Sequence, residues 1–331
     1  MKKYCFLIGW ICIVFLGIGF FAEAAEVQKE KVEIQLSWKL LSADYAAYLL
    51  GERKGFYAEQ NLDVKFISGL GSANTIQLVA GGERSFGFTS ITNAMVAREK
   101  GYPIKVVAAI FNSTPSCIVF DGNLGIKSLK DLEGKKVASR VANAQFLGFK
   151  TMLKINNVDF EKIRLISLTS GSSLKLFIVG EADATINYAF DAIPTLNYKY
   201  PEKKIGYFMF KDFGMNILTQ GIVTRDEIFE ENPGLVQRVV TASLKSIEYA
   251  ISHPEEALEI LLERKPKSNK DMGLAMIKGV LGLSVNRISK NHGIGYIDPQ
   301  KWQETMNLLV EAKMLSSDFD HEKGYTNEFL R

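Results

Sequence analysis

The sequence predicts an α/β protein built from two similar units, and three observations carry that expectation. Strand-like and helix-like segments alternate almost one for one from about residue 32 to residue 210, the pattern of βαβ units and a parallel sheet. A phrase then occurs twice: residues 69–89 read GLGSANTIQLVAGGERSFGFT and residues 168–187 read LTSGSSLKLFIVGEADATIN. Both run Gly-Ser, an apolar-periodic segment, Gly-Glu and a short β-like stretch. From about Pro233 onward the chain becomes mostly amphipathic helix. A length of 331 residues accommodates about two domains.

Each element follows from its local pattern. KVEIQLSW has apolar residues at every second position and reads as a strand ending at Trp38. DYAAYLLGERKG has helical spacing and ends at Gly55, a suitable residue just past a helix. VKFI is a strand, residues 72–80 a helix stopped by Gly81-Gly82, and SFGF a strand. Thr89 or Ser90 caps the helix ITNAMVAREK, which Gly101 ends, and IKVVAAI follows as a strand.

The second run begins near Leu129. LKDLEGKKVAS reads as a short helix, a turn and a strand, followed by a helix over about 144–156. IRLISL is a strand, 172–179 a helix, ADATIN a strand, 190–199 a helix and KIGYFMF a strand. Four amphipathic helices close the chain, with Pro233, Pro254 and Pro299 at helix starts, where the missing N–H costs nothing.

Hydrophobic residues at 47% and charged residues at 23% describe an ordinary folded protein. A net charge of +3 without a basic block excludes nucleic acid as an expected partner. Residues 1–25 stand apart. Lys2 and Lys3, a long apolar run and Ala22-Glu23-Ala24 form a secretory signal pattern, with a retained membrane anchor as the alternative. Cys12 follows Trp10-Ile11, a poor context for lipid attachment. Cys5 and Cys12 leave with the signal, so Cys117 is the lone thiol of the mature chain, expected to pack as a small apolar residue in SCIVF. The core, not a disulfide, must hold the fold.

Both Gly-Ser turns follow strands. In open α/β sheets, ligands bind outside the carboxyl ends of the strands, so two facing units would line one cleft with both turns. Glycine permits positive φ, serine caps the helix, and the first-turn N–H groups are free for a ligand oxygen. Plain capping without a ligand remains the alternative.

The segments SWKLLSADYAAYLLGERKGFYAEQNLDV, GSANTIQLVAGGERSFGF, KSLKDLEGKKVA, VGEADATI, ENPGLVQRVVTASLKSIEYAISHPEEA and IDPQKWQETMNLLVEAKML, in this order behind a signal pattern, carry a resemblance. The chain resembles solute-binding proteins of bacterial ABC importers, in the NMT1/THI5-like group with sulfonate, taurine, nitrate, riboflavin and thiamine-pyrimidine binders. The resemblance implies a periplasmic-binding-protein-like fold of type II: two α/β domains with parallel-rich sheets joined by a two-segment hinge. Residues 26–115 with 221–331 would form one domain and 116–220 the other. The crossings would fall near 115–121 and 216–224, and the C-terminal helices would pack on the first domain.

Candidate ligand contacts follow from strand ends and the resemblance. On the first domain they are Trp38, whose indole would stack on a planar ligand, with Asp44, Tyr45, Ser72, Asn74, Thr89, Ser90 and Asn93. On the second they are Arg140, Asn143, Gln145, Ser170, Ser172, Asn187, Tyr188 and Asp191. A buried Arg140 would favour a sulfonate or carboxylate; a solvated Arg140 would not. The pyrimidine-binding branch has Trp-x-Pro-Asn followed by histidine, and WKLLSADY lacks both features.

No metal site or cofactor is expected: His253, His292 and His321 lack partners at ligand spacing, and no G-x-S-x-G, Walker or G-x-G-x-x-G motif occurs. The expected function is extracytoplasmic, periplasmic delivery of a small organic ligand, a planar heterocycle or an oxyanion, to an inner-membrane ABC permease by a monomer. The alternatives are a pyrimidine-precursor synthase of the same fold, which the missing cysteine-rich motif opposes, and a binding protein that signals to a membrane receptor.

Overall fold

The computed structural model describes residues 28–141, 144–169, 172–318 and 322–330. The expected leader, Asn143, Ser170, Gly171 and His321 lie outside the described residues. Among the described residues, ten strands form two sheets: β1 (Glu30–Leu36), β2 (Leu62–Ile67), β3 (Phe86–Ser90), β4 (Ile104–Phe111), β5 (Ser116–Asp121), β6 (Lys136–Arg140), β7 (Arg164–Leu168), β8 (Ala184–Tyr188), β9 (Ile205–Met209) and β10 (Gln220–Arg225). The helices are α1 (Ala46–Arg53), α2 (Ser72–Ala80), α3 (Ile91–Glu99), α4 (Ala144–Ile155), α5 (Ser173–Ile178), α6 (Ala189–Lys199), α7 (Asp226–Glu231), α8 (Pro233–Ser252), α9 (Pro254–Arg264), α10 (Lys270–Leu281), α11 (Arg287–His292) and α12 (Pro299–Glu311).

The sheets have the same plan. The first runs β2-β1-β3-β10-β4 and the second β7-β6-β8-β5-β9. In each, the fourth strand is antiparallel to both neighbours while the other strands share one direction. The sheets are parallel-rich, as expected, with one antiparallel strand in each. β10 enters the first sheet from the second lobe and β5 enters the second sheet from the first, so each arrives against the local strand direction.

The crossings lie at 112–115 and 216–219, since β5 belongs wholly to the second sheet and β10 to the first. The sequence expectation set the crossings near 115–121 and 216–224, a span that takes in all of β5 and most of β10. The Ser113 hydroxyl donates to Asn216 Oδ1 at 2.8 Å and the Thr219 hydroxyl to the Ser113 carbonyl at 3.2 Å, which ties the two crossing segments side by side.

The repeated phrase occupies the same step in both sheets: edge strand, turn, helix, third strand (β2-α2-β3 and β7-α5-β8). Its Gly-Glu has a backbone cause: Gly82 and Gly180 follow their helices at φ +81° and +79°, a conformation with little strain only for glycine.

Helices α8, α9 and α10 pack with Tyr48, Phe66 and Phe88 into one core on the first sheet, with the Tyr48 and Phe88 rings 4.2 Å apart. On its other face α12 buries Trp302 against Ile76, Val79, Ile91 and Met95. Pro233, Pro254 and Pro299 open their helices, as expected. Cys117 is fully buried in β5, and burial pushes its thiol up to about 12.

Candidate functional site

β1 ends at Leu36, two residues earlier than the sequence pattern suggests, which places Trp38 in the loop beyond the strand. That loop is fixed at several points. Gly69 N–H donates to the Trp38 carbonyl at 2.9 Å, Leu40 N–H to Ser68 Oγ at 3.0 Å, and Ser37 N–H to the Tyr45 hydroxyl at 3.2 Å. A Cβ on Gly69 would stand 1.8 Å from the Leu36 carbonyl oxygen, so only glycine allows the β2–α2 turn to lie this close to the end of β1.

Arg140 ends β6, the strand that occupies in the second sheet the place β1 holds in the first. Its guanidinium carbon lies 4.4 Å from the centroid of the Trp38 ring. The carboxyl edges of the two sheets therefore face each other, joined by a stack worth about 0.5–2 kcal/mol according to its exposure. Lys39 Nζ stands 5.8 Å from the same ring.

Among the described residues, seven buried side-chain polar atoms lack a hydrogen-bond partner. Four of them, Asp44 Oδ1, Asn93 Oδ1, Asn112 Oδ1 and Arg140 Nε, belong to residues at or just beyond the carboxyl ends of β1, β3, β4 and β6. Buried polar groups are nearly always paired, so these four are exceptions on neighbouring strand ends.

Asp44 lies in a 3-10 turn (Ala43–Tyr45) leading into α1, beside a cavity with room for about one water molecule, lined also by Tyr48, Ile110, Phe111 and Val280. Burial pushes its carboxyl up to about 6, against the Ser42 hydroxyl and its own backbone, with the charge of Asp191 adding to the rise. Asp191, in the first turn of α6, is exposed, with protein packed near its carboxyl. This crowding raises its carboxyl against the pull of Lys265 and Lys199. Neither carboxylate has an ion-pair partner among the described residues. Arg140 and Lys39 lie at Trp38, while the two carboxylates act on each other and Asp44 on Tyr188, whose phenol is raised by burial and by Asp44.

The remaining sequence candidates divide by depth. Tyr45 is fully buried with its hydroxyl 2.9 Å from Ser37 Oγ, which makes it a brace for the Trp38 loop. Thr89 is fully buried and donates to the Ser72 carbonyl at 3.4 Å, and Ser90 caps α3 by accepting from Asn93 N–H at 3.2 Å. Asn187 donates to Thr185 Oγ1 at 2.8 Å. Asn74 and Gln145 are half-buried in the first turns of α2 and α4. Asn112 was missing from the sequence candidates. It is 3% exposed and directly follows β4, the strand-end position that singled out the others.

The two Gly-Ser turns are not alike. Ser172 caps α5 by accepting from Lys175 N–H at 3.4 Å, whereas α2 is capped by Gly71 and Ser72 is its first residue, without a capping bond. This corrects the expectation that both serines cap. Gly71 has φ +132°, where a side chain is strained. Ser172→Ala should then lower stability by about 0.5–2 kcal/mol through the lost cap, Ser72→Ala by less, and Gly71→Val by more than either. Urea unfolding of the three variants checks the order; equal effects for the two serines would contradict it.

A family model described as NMT1/THI5 like matches residues 42–257, and the chain belongs to that family. It is 24% identical over 320 residues to "Riboflavin-binding protein RibY" of Chloroflexus aurantiacus, covering 93% of this chain and 88% of that protein. It is 26% identical over 306 residues to "Formylaminopyrimidine-binding protein" of Halalkalibacterium halodurans, covering 90% of each. A Legionella pneumophila protein named "4-amino-5-hydroxymethyl-2-methylpyrimidine phosphate synthase" is 20% identical over 304 residues, covering 91% of this chain and 93% of its own. Among solved structures, the alkanesulfonate-binding protein SsuA from Xanthomonas axonopodis pv. citri, bound to MOPS, superposes with a TM-score of 0.69 at 10% identity, covering 90% of this chain and 98% of that one. At that identity the likeness speaks for the fold: two α/β domains of the periplasmic-binding-protein type.

Proposed function

We propose that this chain is an extracytoplasmic solute-binding protein that holds one small planar molecule between its lobes and delivers it to an ABC permease without converting it. The observation that carries the reading is the Trp38–Arg140 stack across the two sheets, ringed by buried polar atoms without partners. A flat ring replacing the guanidinium on Trp38 keeps the stacking, and Arg140 then bonds an acceptor on the ring edge. Asp44 and Asp191 call for N–H or O–H donors at the other end. This set suits a heterocycle with both kinds of group; an oxyanion would meet two uncompensated carboxylates.

The lobes of this reading keep the division expected from the sequence, 26–115 with 221–331 and 116–220, with 112–115 and 216–219 as the crossings and Gln220 in the first lobe's sheet. The N-terminal 25 residues direct export and are removed, leaving a monomer in the periplasm. No helix among the described residues is long and apolar enough to cross a membrane. Against the synthase alternative stands the missing cysteine-rich motif: beyond residue 25 the sequence has Cys117 alone, and it is fully buried in β5.

Mass spectrometry of the protein purified under native conditions, followed by thermal shift with riboflavin, formylaminopyrimidine and MOPS, tests the reading. The expected result is one released planar compound, unchanged after incubation. At a hundred times its dissociation constant it should stabilise the fold by about 2.7 kcal/mol. Conversion of the bound compound by the pure protein, or stabilisation by MOPS alone, would overturn it.

A further inference from the structure

We propose that Phe190 and Gly279 form a latch between the lobes, a non-covalent third connection that holds the cleft near its closed arrangement. The inference rests on the reading of the chain as a two-lobed binder whose lobes part to admit solute. Away from the two crossings, α6 of the second lobe lies against α10 of the first. Gly279 sits at this contact. A Cβ there would stand 3.0 Å from Phe190 Cβ and 3.5 Å from Phe190 Cα, so the helices come this close because position 279 has no side chain.

Phe190 is 8% exposed. Among the described residues it is the one buried second-lobe member of a core whose other buried members all come from the first lobe. Its ring meets Phe111, beside the first crossing, edge to face at 6.5 Å, and stacks on Tyr188 at 5.2 Å. An aromatic ring buried in the partner lobe must return to water if the lobes swing apart about the crossings alone, and that loss opposes opening.

The latch is also wired to the site. Tyr188 is the residue that caps α6, and Asp191 follows Phe190 within its first turn. A movement of Phe190 out of its slot therefore moves Tyr188 and Asp191 away from Asp44. Solute bonded to both ends of the cleft and the latch act on the same turn.

Small-angle scattering of the unliganded protein tests this with Gly279→Val, Phe190→Ala and the double variant. Gly279→Val should raise the radius of gyration, because the added methyl groups strike Phe190. Phe190→Ala should raise it by removing the plug. The double variant should be at least as open as Phe190→Ala, since alanine keeps the Cα and Cβ that a side chain at 279 meets. Circular dichroism confirms that each variant is folded; if Gly279→Val is not, Phe190→Ala decides alone. Scattering unchanged in the folded variants would overturn the latch, as would a double variant more compact than Phe190→Ala. For a solute found by mass spectrometry, Phe190→Ala should weaken affinity by about tenfold through the smaller closed population. The scattering result stands without any solute, so failure of the latch and failure of the binding reading are distinguishable.

Discussion

Arg140→Ala should weaken solute binding by roughly 2–5 kcal/mol, the range for removing one partner of a buried charged hydrogen bond. The fold should survive, because Arg140 is half-buried, ends its strand and has no ion pair among the described residues. What disappears is specific. The guanidinium covers Trp38 with its face and keeps Nε buried without a partner, ready for an acceptor on the solute. Arg140→Lys separates charge from shape. Lysine restores the positive charge without the flat face or the rigid fork, so it should recover only part of the affinity. Calorimetric titration of both variants is the check. Full affinity in Arg140→Ala would place the guanidinium on the rim and leave the stack as a surface contact.

Asp44→Asn should make the protein more stable at neutral pH while weakening solute binding. The direction follows from the raised carboxyl. Asp44 titrates at about 6 in the folded chain instead of at 3.8, so the folded state holds this proton more tightly than the unfolded chain does. Its contribution to stability is fully present below about pH 4 and is lost as pH rises through about 6. Asparagine never ionises and suffers no such loss. The variant should therefore exceed the wild type by about 1–3 kcal/mol at pH 7, with the difference closing by pH 4. Urea unfolding at pH 4, 5, 6 and 7 measures it; a gap that does not vary with pH would refute the assignment. Loss of affinity together with a gain in stability is what a carboxylate kept for a ligand should show.

Much of the architecture could be read from the sequence because its signals are local. Prolines mark the starts of α8, α9 and α12, and the repeated phrase marks two sheets of one plan. Strand direction was less legible. The apolar pattern of SCIVF or QGIVTR shows a strand, while its antiparallel place depends on the lobe from which the chain arrives.

The site was legible by edge and not by depth. Residues after strands do gather along one edge of each sheet, but Tyr45 and Thr89 turn inward where Asp44 and Asn93 leave open valences, and a polar residue in a turn looks alike in both cases. Asn112 was hidden in FNSTP, which reads as a linker. Phe190 reads as an ordinary core residue of its own helix, and only the packing shows that its core belongs to the other lobe.

The central claim is that solute binds against Trp38 in the cleft between the lobes. The chain has three tryptophans: Trp10 in the segment expected to be removed, Trp302 buried in the first lobe at 1% exposure, and Trp38 half-buried at the cleft. Fluorescence titration of the mature protein and of Trp38→Phe, with the compound released from native protein, tests the claim most directly. The account predicts a saturable change in tryptophan emission whose midpoint matches the calorimetric one, and no such change in Trp38→Phe. Calorimetric binding with indole emission unaltered, or the full change persisting in Trp38→Phe, would contradict it.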